Sequence, residues 1–174
     1  MKKLVYIFVI ILFIGITAFG QDTIKKKDIF KKDFKWGIGL GAGFTTGFGI
    51  SFKYHPRKNG IQLNILPYFD DYGRKQFICA GLTLSHDIWS NLNSTLFLYL
   101  ANSTFIQSYP TFYGSHKYET ETIDNTGIGA GLEQTASNKR ISIDLMLGYA
   151  QYSIFKQMFL TGEIAVHYRF ISNK

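Results

Sequence analysis

Trp36-Gly37-Ile38-Gly39-Leu40-Gly41-Ala42-Gly43-Phe44 decides the fold. A period of two with large apolar residues on one face and bare glycine on the other is a strand signature, because successive side chains of a strand leave opposite faces. No helix of period 3.6 can sort these residues so cleanly.

The same alternation recurs outward from this stretch, each run bounded by turn residues. Phe48, Ile50, Phe52 and Tyr54 oppose Gly47, Gly49, Ser51 and Lys53 after a tight Thr45-Thr46 turn, and His55 to Gly60 breaks the run. Ile61, Leu63 and Ile65 oppose Gln62 and Asn64, as far as the turn Asp70-Asp71-Tyr72-Gly73. Ile78, Ala80, Leu82 and Leu84 oppose Phe77, Cys79, Gly81, Thr83 and Ser85, and a polar stretch Asp87 to Ser94 follows. Leu96, Leu98 and Leu100 oppose Phe97, Tyr99 and Ala101 within Thr95 to Phe105. The longest connection, Ile106 to Asn125, is rich in Tyr, Ser, Thr and Glu. Ile128, Ala130 and Leu132 then oppose Gly127, Gly129, Gly131 and Glu133, and Ala136 to Arg140 reads as a polar turn. Ile141 to Tyr149 and Leu160 to Phe170 complete the set, which makes eight strands.

The two faces say where such a sheet belongs. A soluble sandwich or barrel hides its apolar face and shows water a polar one, whereas the second face here is glycine, Ser, Thr and isolated charges. Turned inside out the pattern is consistent: in lipid every backbone polar group needs a partner within the protein, so strands span only as a closed barrel. Runs of about 9–11 residues, apolar outside and small or polar inside, fit that requirement. The expected fold is all-β, a closed antiparallel up-and-down transmembrane β-barrel of about eight strands. With both termini in the periplasm, Trp36, Tyr54, Tyr168 and Phe170 form the inner aromatic belt and Phe44, Phe48 and Tyr149 the outer one. Ile106 to Asn125 then faces the cell exterior, while His55 to Gly60 and Ala136 to Arg140 are periplasmic turns.

Composition supports export. Lys2 and Lys3 precede an apolar run from Leu4 to Ile16, and Thr17-Ala18-Phe19-Gly20 offers small residues for cleavage, so residues 1–20 read as a signal peptide. The run is shorter than the ~20 residues of a spanning helix, and Gln21 stands where a lipoprotein carries Cys. Without residues 1–20 the formal charge falls from +7 to +5, since Lys2 and Lys3 leave. Residues 21–35 form a Lys-rich periplasmic lead-in, 36–170 the barrel and 171–174 a short tail. Export and the lack of an Arg/aromatic stripe argue against nucleic acid. The single Cys79 cannot form an internal disulfide.

The chain resembles the small eight-stranded outer-membrane barrels of Gram-negative bacteria, the OmpA/OmpX-type and outer-membrane β-barrel domain proteins. The resemblance covers residues 36–170. Its most specific piece, Leu160-Thr161-Gly162-Glu163-Ile164-Ala165-Val166-His167-Tyr168-Arg169-Phe170, looks like the C-terminal signal read by the outer-membrane assembly machinery, with Gly162, Tyr168 and Phe170 as its landmarks. The tail from Ile171 to Lys174 departs from the pattern, which often stops at the aromatic. The resemblance implies outer-membrane lipid and that machinery as partners, and a monomer. The family serves many functions, so none is carried over.

Parity points Lys53, Glu133, Asp144, Glu163, His167 and Arg169 into the lumen, where charges need partners, so one polar network is expected. The glycine strips on the first and sixth strands leave room for His167, Arg169, Phe97 and Tyr99 to lean into, which disfavours a conducting pore. Tyr109, Tyr113, His116 and Tyr118 crowd the long connection and form the candidate contact surface for an extracellular ligand; the same composition also suits Tyr-rich strand extensions above the membrane. The principal reading is a non-enzymatic barrel with a structural or surface-interaction role. The alternative is a barrel enzyme acting on lipid A, a deacylase or acyltransferase; a resemblance to the lipid A deacylases and palmitoyltransferases would imply a His with Ser and a carboxylate near the outer surface. No such grouping is deducible from the sequence, and four scattered His with one Cys show no metal-ligand spacing. No cofactor is expected. A soluble lipocalin-like carrier ranks below both readings, because its apolar cavity has no counterpart here.

Overall fold

The computed structural model describes residues 34–70, 75–110, 118–153 and 157–171. They form one closed antiparallel barrel in which each strand pairs with the next in sequence. The strands are β1 (Phe34–Ala42), β2 (Gly49–Tyr54), β3 (Asn59–Asp70), β4 (Lys75–Ser90), β5 (Ser94–Pro110), β6 (Tyr118–Thr135), β7 (Ile141–Tyr152) and β8 (Gln157–Ile171). Closure is made by β1 against β8, with Trp36 opposite Phe170 and Leu40 opposite Val166. No helix among the described residues is long and apolar enough to cross a membrane, a criterion that does not bear on strands.

The barrel is apolar outside and polar inside. Leu40, Ile50, Leu63, Leu84, Leu98, Ile128, Leu145 and Leu160 project outward and are exposed, Leu160 to 74%. Inward positions hold Ser51, Lys53, Asn64, Ser103, Glu133, Asp144, Glu163, His167 and Arg169, all buried. The apolar part of the interior is small, with Phe97, Tyr99, Ala101 and Met146 as its cluster. Pairing thus satisfies the backbone while the side chains invert the usual division of inside from outside.

Three boundaries differ from the sequence reading. β4 continues through Asp87 to Ser90, and only residues 91–93 turn, so Asp87 to Ser94 is not a polar connection. The reason is a bulge: the register against β5 shifts between Asp87 and Trp89. Ile88 and Trp89 both face outward there while Asp87 and Ser90 face in, which breaks the alternation a sequence reader follows. The connection Ile106 to Asn125 is built mainly of strand extensions, the second of the two readings of its composition. β5 and β6 stay in register from Ser94↔Gln134 to Pro110↔Tyr118, and polar residues on both faces masked a hairpin that needs no apolar outer face. Finally, the strands reach Phe34 and Ile171, which pair with each other, so Ile171 belongs to the barrel and not to a tail. The signal-peptide assignment, the arm up to residue 33 and residues 172–174 lie outside the described residues.

The two ends differ. The start of β1, the end of β8 and the turns at 55–58, 91–93 and 136–140 share one end, here the terminal end. The other, the hairpin end, carries the tall β3–β4 and β5–β6 pairs. There residues 43–48 join β1 to β2, and the Thr45-Thr46 turn folds into the lumen, where both threonines are fully buried. Phe48 is consequently part of this inward connection, half-buried against Phe105 at 5.8 Å between ring centres, and not a strand residue facing lipid.

Candidate functional site

The lumen contains two separate polar tiers where one network was expected. The tier toward the terminal end is ionic. Lys53 on β2 places Nζ 2.7 Å from Asp144 Oδ2 on β7 and 3.2 Å from Glu133 Oε1 on β6. Arg169 on β8 donates from Nη2 to the same Glu133 oxygen at 2.6 Å. Two cations thus meet two carboxylates, which is the balance a low-dielectric interior requires. Room for them comes from glycine. A Cβ on Gly37 would sit 3.5 Å from His167 and 3.9 Å from Lys53, and one on Gly131 would strike the Phe97 ring that lies beneath the Lys53 ammonium. Below this tier His55 and Asp87 pair at 3.2 Å.

The tier toward the hairpin end is a plug built from residues 43–48. Glu163 on β8 takes no part in the ionic tier. Its carboxylate accepts the backbone N–H groups of Thr45 and Thr46, at 3.2 and 3.0 Å, and the hydroxyls of Thr45 and Thr161. The plug crosses the lumen to the opposite wall. Asn64 Nδ2 on β3 donates to the carbonyls of Thr46 and Gly47, and Ser103 on β5 and Asn125 on β6 both donate to the Phe44 carbonyl. Phe48 N–H reaches Cys79 Sγ on β4. Two glycines admit the crossing, since a Cβ on Gly81 would collide with the Thr46 carbonyl and one on Gly127 would press into the Thr45 side chain. Gly47 lies at φ +82°, a conformation that lets the chain turn back and that a Cβ would strain.

One grouping has the residue types of a hydrolase. His167 Nε2 is 2.8 Å from Ser51 Oγ, and its Nδ1 is 3.5 Å from Asp144 Oδ2. Its surroundings do not suit catalysis. Ser51, His167 and Asp144 are at most 1% exposed, Asp144 Oδ2 is held by Lys53, and the plug closes the side facing the hairpin end. An acyl-transfer site also needs donors for an oxyanion, whereas the flanking backbone is committed to ladder pairing with β1, β3 and β7. Among the described residues no three His, Cys, Asp or Glu side chains come together to hold a metal ion.

The remaining sequence candidates are scattered over the exterior. Tyr109 is exposed near the end of the described β5–β6 ladder, one register step from Tyr118. Tyr113 and His116 lie outside the described residues. Gly162 faces outward on β8 opposite Leu147, and Tyr168 and Phe170 stack edge to face at 5.6 Å on the terminal rim. The sequence reading passed over Asn64, Ser103, Asn125, Thr45 and Asp87 as site residues. Each of the first three sits at an inward parity position, which is the one signal that could have flagged it.

No protein-family model matches the chain, and no curated protein matches it. Its architecture is similar to the N-terminal β-barrel domain of OprF from Pseudomonas aeruginosa. That crystal structure shares 15% identity, covers 78% of this chain and 94% of its own, and superposes with a TM-score of 0.53. Ail, the attachment invasion locus protein of Yersinia pestis, matches with 15% identity, 78% and 95% coverage and a TM-score of 0.43. The fold is that of a small eight-stranded outer-membrane barrel.

Proposed function

We propose that this chain is an exported, monomeric, integral barrel of the outer membrane. Its terminal end faces the periplasm and its lumen is sealed, and it acts without catalysis, as a structural element or through contacts made by the β5–β6 hairpin. One observation carries this reading, the inversion of polarity across the barrel wall. A soluble monomer seldom shows an apolar patch beyond a few hundred Å², yet every strand here exposes large apolar side chains while ion pairs occupy the interior. Closure leaves no ladder edge along the spanning part, which suits a monomer. The ionic tier and the plug together favour a closed barrel over a conducting one. The projecting hairpin, polar on both faces and ending near Tyr109 and Tyr118, supports the surface-contact role.

Fractionation followed by electrophoresis of boiled and unboiled samples tests the reading. A band confined to the outer membrane that migrates differently on heating is expected, and a soluble periplasmic product without heat-modifiability would overturn it. For the enzymatic alternative, mass spectrometry of lipid A should show one acyl pattern in cells carrying the wild type, Ser51→Ala or His167→Gln.

A further inference from the structure

Among the described residues, the exposed charges of the terminal rim are all cationic and skip one of its four corners. Lys35, Arg57, Lys58, Lys139 and Arg140 are exposed there, whereas the acids of that end, Asp87, Glu133 and Asp144, are buried in the lumen. These cations occupy three adjacent corners of the rim: the β6–β7 turn, the start of β1 beside the end of β8, and the β2–β3 turn. The fourth corner, the β4–β5 turn, has no charge and exposes Ile88, Trp89 and Leu92, the last to 82%. Backbone bonds fix the arc to the wall, since His55 N–H donates to the Lys35 carbonyl and Arg169 N–H to the Arg140 carbonyl, at 2.8 and 2.7 Å.

Two of these cations stand beside aromatic residues of the belt. Lys35 precedes Trp36, whose ring lies 4.3 Å from that of Tyr54, and Arg140 donates to the Tyr168 hydroxyl at 3.2 Å. Rings of this kind sit at headgroup depth, so Lys35 and Arg140 are held at the level of lipid phosphates. Among the described residues neither Lys35 nor Arg57 has an acidic partner. Given the membrane reading above, we propose that this arc binds the phosphates of anionic phospholipids in the periplasmic leaflet, and that the β4–β5 corner does not. The barrel would then gather an asymmetric lipid annulus, anionic except at the β4–β5 corner.

The two tryptophans of the chain report on the two sides: Trp36 lies within the arc and Trp89 beside the uncharged corner. The protein is purified from outer membranes and reconstituted as Trp89→Phe and Trp36→Phe versions in phosphatidylcholine vesicles. Quenching by brominated phosphatidylglycerol is compared with quenching by brominated phosphatidylcholine. At low salt the Trp36 signal should favour phosphatidylglycerol about fivefold, as expected for roughly one phosphate contact, and Trp89 should show a ratio near one. The Trp36 preference should vanish in ~1 M salt and in the Lys35→Gln/Arg57→Gln/Arg140→Gln variant, whose folding is checked by heat-modifiability. Equal ratios at both tryptophans, or a preference untouched by salt and by the triple variant, would overturn the proposal while leaving the membrane reading intact. Absence of quenching at both sites would remove the membrane reading with it. Binding to isolated cell-wall sacculi lost in the triple variant, without lipid preference, would overturn it in favour of a cell-wall contact.

Discussion

Glu163 on the last strand accepts hydrogen bonds from the backbone N–H of Thr45, a residue 118 positions earlier, and from that of Thr46. A carboxylate that accepts two N–H groups and two hydroxyls is satisfied without a cation, which is why Glu163 can stay apart from the Lys53 tier. The connection it holds converts an open barrel end into a plugged one. Its partners come from β3, β4, β5, β6 and β8, so the plug ties β8 across the lumen to strands with which it shares no ladder.

The first prediction concerns that latch. Glu163→Gln keeps the side chain's size but turns one acceptor into a donor that faces N–H groups. The cost should be about 1–3 kcal/mol in urea unfolding in detergent, the usual range for leaving buried groups unpaired. Amide exchange at Thr45 and Thr46 should accelerate while that of the Lys53 tier stays slow. Unchanged exchange at those two amides would argue that Asn64, Ser103 and Asn125 hold the plug without the carboxylate.

Two glycines separate packing from assembly. Gly81→Ala places a methyl against the Thr46 carbonyl, which must move, and a loss of ~1–3 kcal/mol is expected from overpacking. Gly162→Ala faces outward, where a Cβ would meet only Leu147 Cδ2 at 3.4 Å, so unfolding free energy should change by no more than about 0.5 kcal/mol. If Gly162 belongs to an assembly signal, its substitution instead lowers the heat-modifiable fraction in outer membranes, as does Phe170→Ala. Destabilisation by Gly162→Ala equal to that by Gly81→Ala would contradict this division.

The strands were legible in the sequence because lipid and lumen impose opposite demands on alternate residues, so Trp36 to Phe44 and Leu160 to Phe170 announce both strand and facing. Legibility failed where that contrast failed. At Ile88-Trp89 a bulge turns two neighbours outward, and the alternation breaks; beyond Ile106 and Thr122 both faces are largely polar, and a paired hairpin looks like loop. Lumen membership of Lys53, Glu133, Asp144, Glu163, His167 and Arg169 followed from parity alone. Which of them meet did not, because Glu163 and Thr45 are brought together by a cross-lumen path that no local pattern encodes. The Thr45-Thr46 turn pointed inward only because Gly81 and Gly127, far away in sequence, leave space for it.

Orientation is tested by cysteine labelling on intact cells in a Cys79→Ser background, which keeps an acceptor for the Phe48 N–H. Thr120→Cys, exposed on the hairpin, should react with an impermeant maleimide, and Asn59→Cys, at the terminal end, should react only after the outer membrane is permeabilised. The reverse pattern would invert the topology and move the cationic arc to the outer leaflet.

The ionic tier predicts an order of stabilities. Lys53 is the cation shared by both carboxylates, and Lys53→Met leaves Asp144 with only His167, 3.5 Å away, while Glu133 keeps Arg169. A buried carboxylate stripped of its partner costs about 3–5 kcal/mol. Arg169→Met is milder, because Glu133 retains Lys53 at 3.2 Å, so about 1–3 kcal/mol is expected. His167→Gln preserves a hydrogen-bonding group near Ser51 Oγ and should cost less than either, about 1 kcal/mol. Replacing Lys53 and Asp144 together by Met and Leu removes a charge of each sign and should recover part of the Lys53→Met loss, since Glu133 keeps its guanidinium. Urea midpoints in one detergent, read by the folded band on gels, give the order directly. A loss from Arg169→Met as large as that from Lys53→Met would show that Glu133 depends on the guanidinium alone, and a double variant less stable than Lys53→Met would show that Asp144 contributes through contacts other than its ion pair.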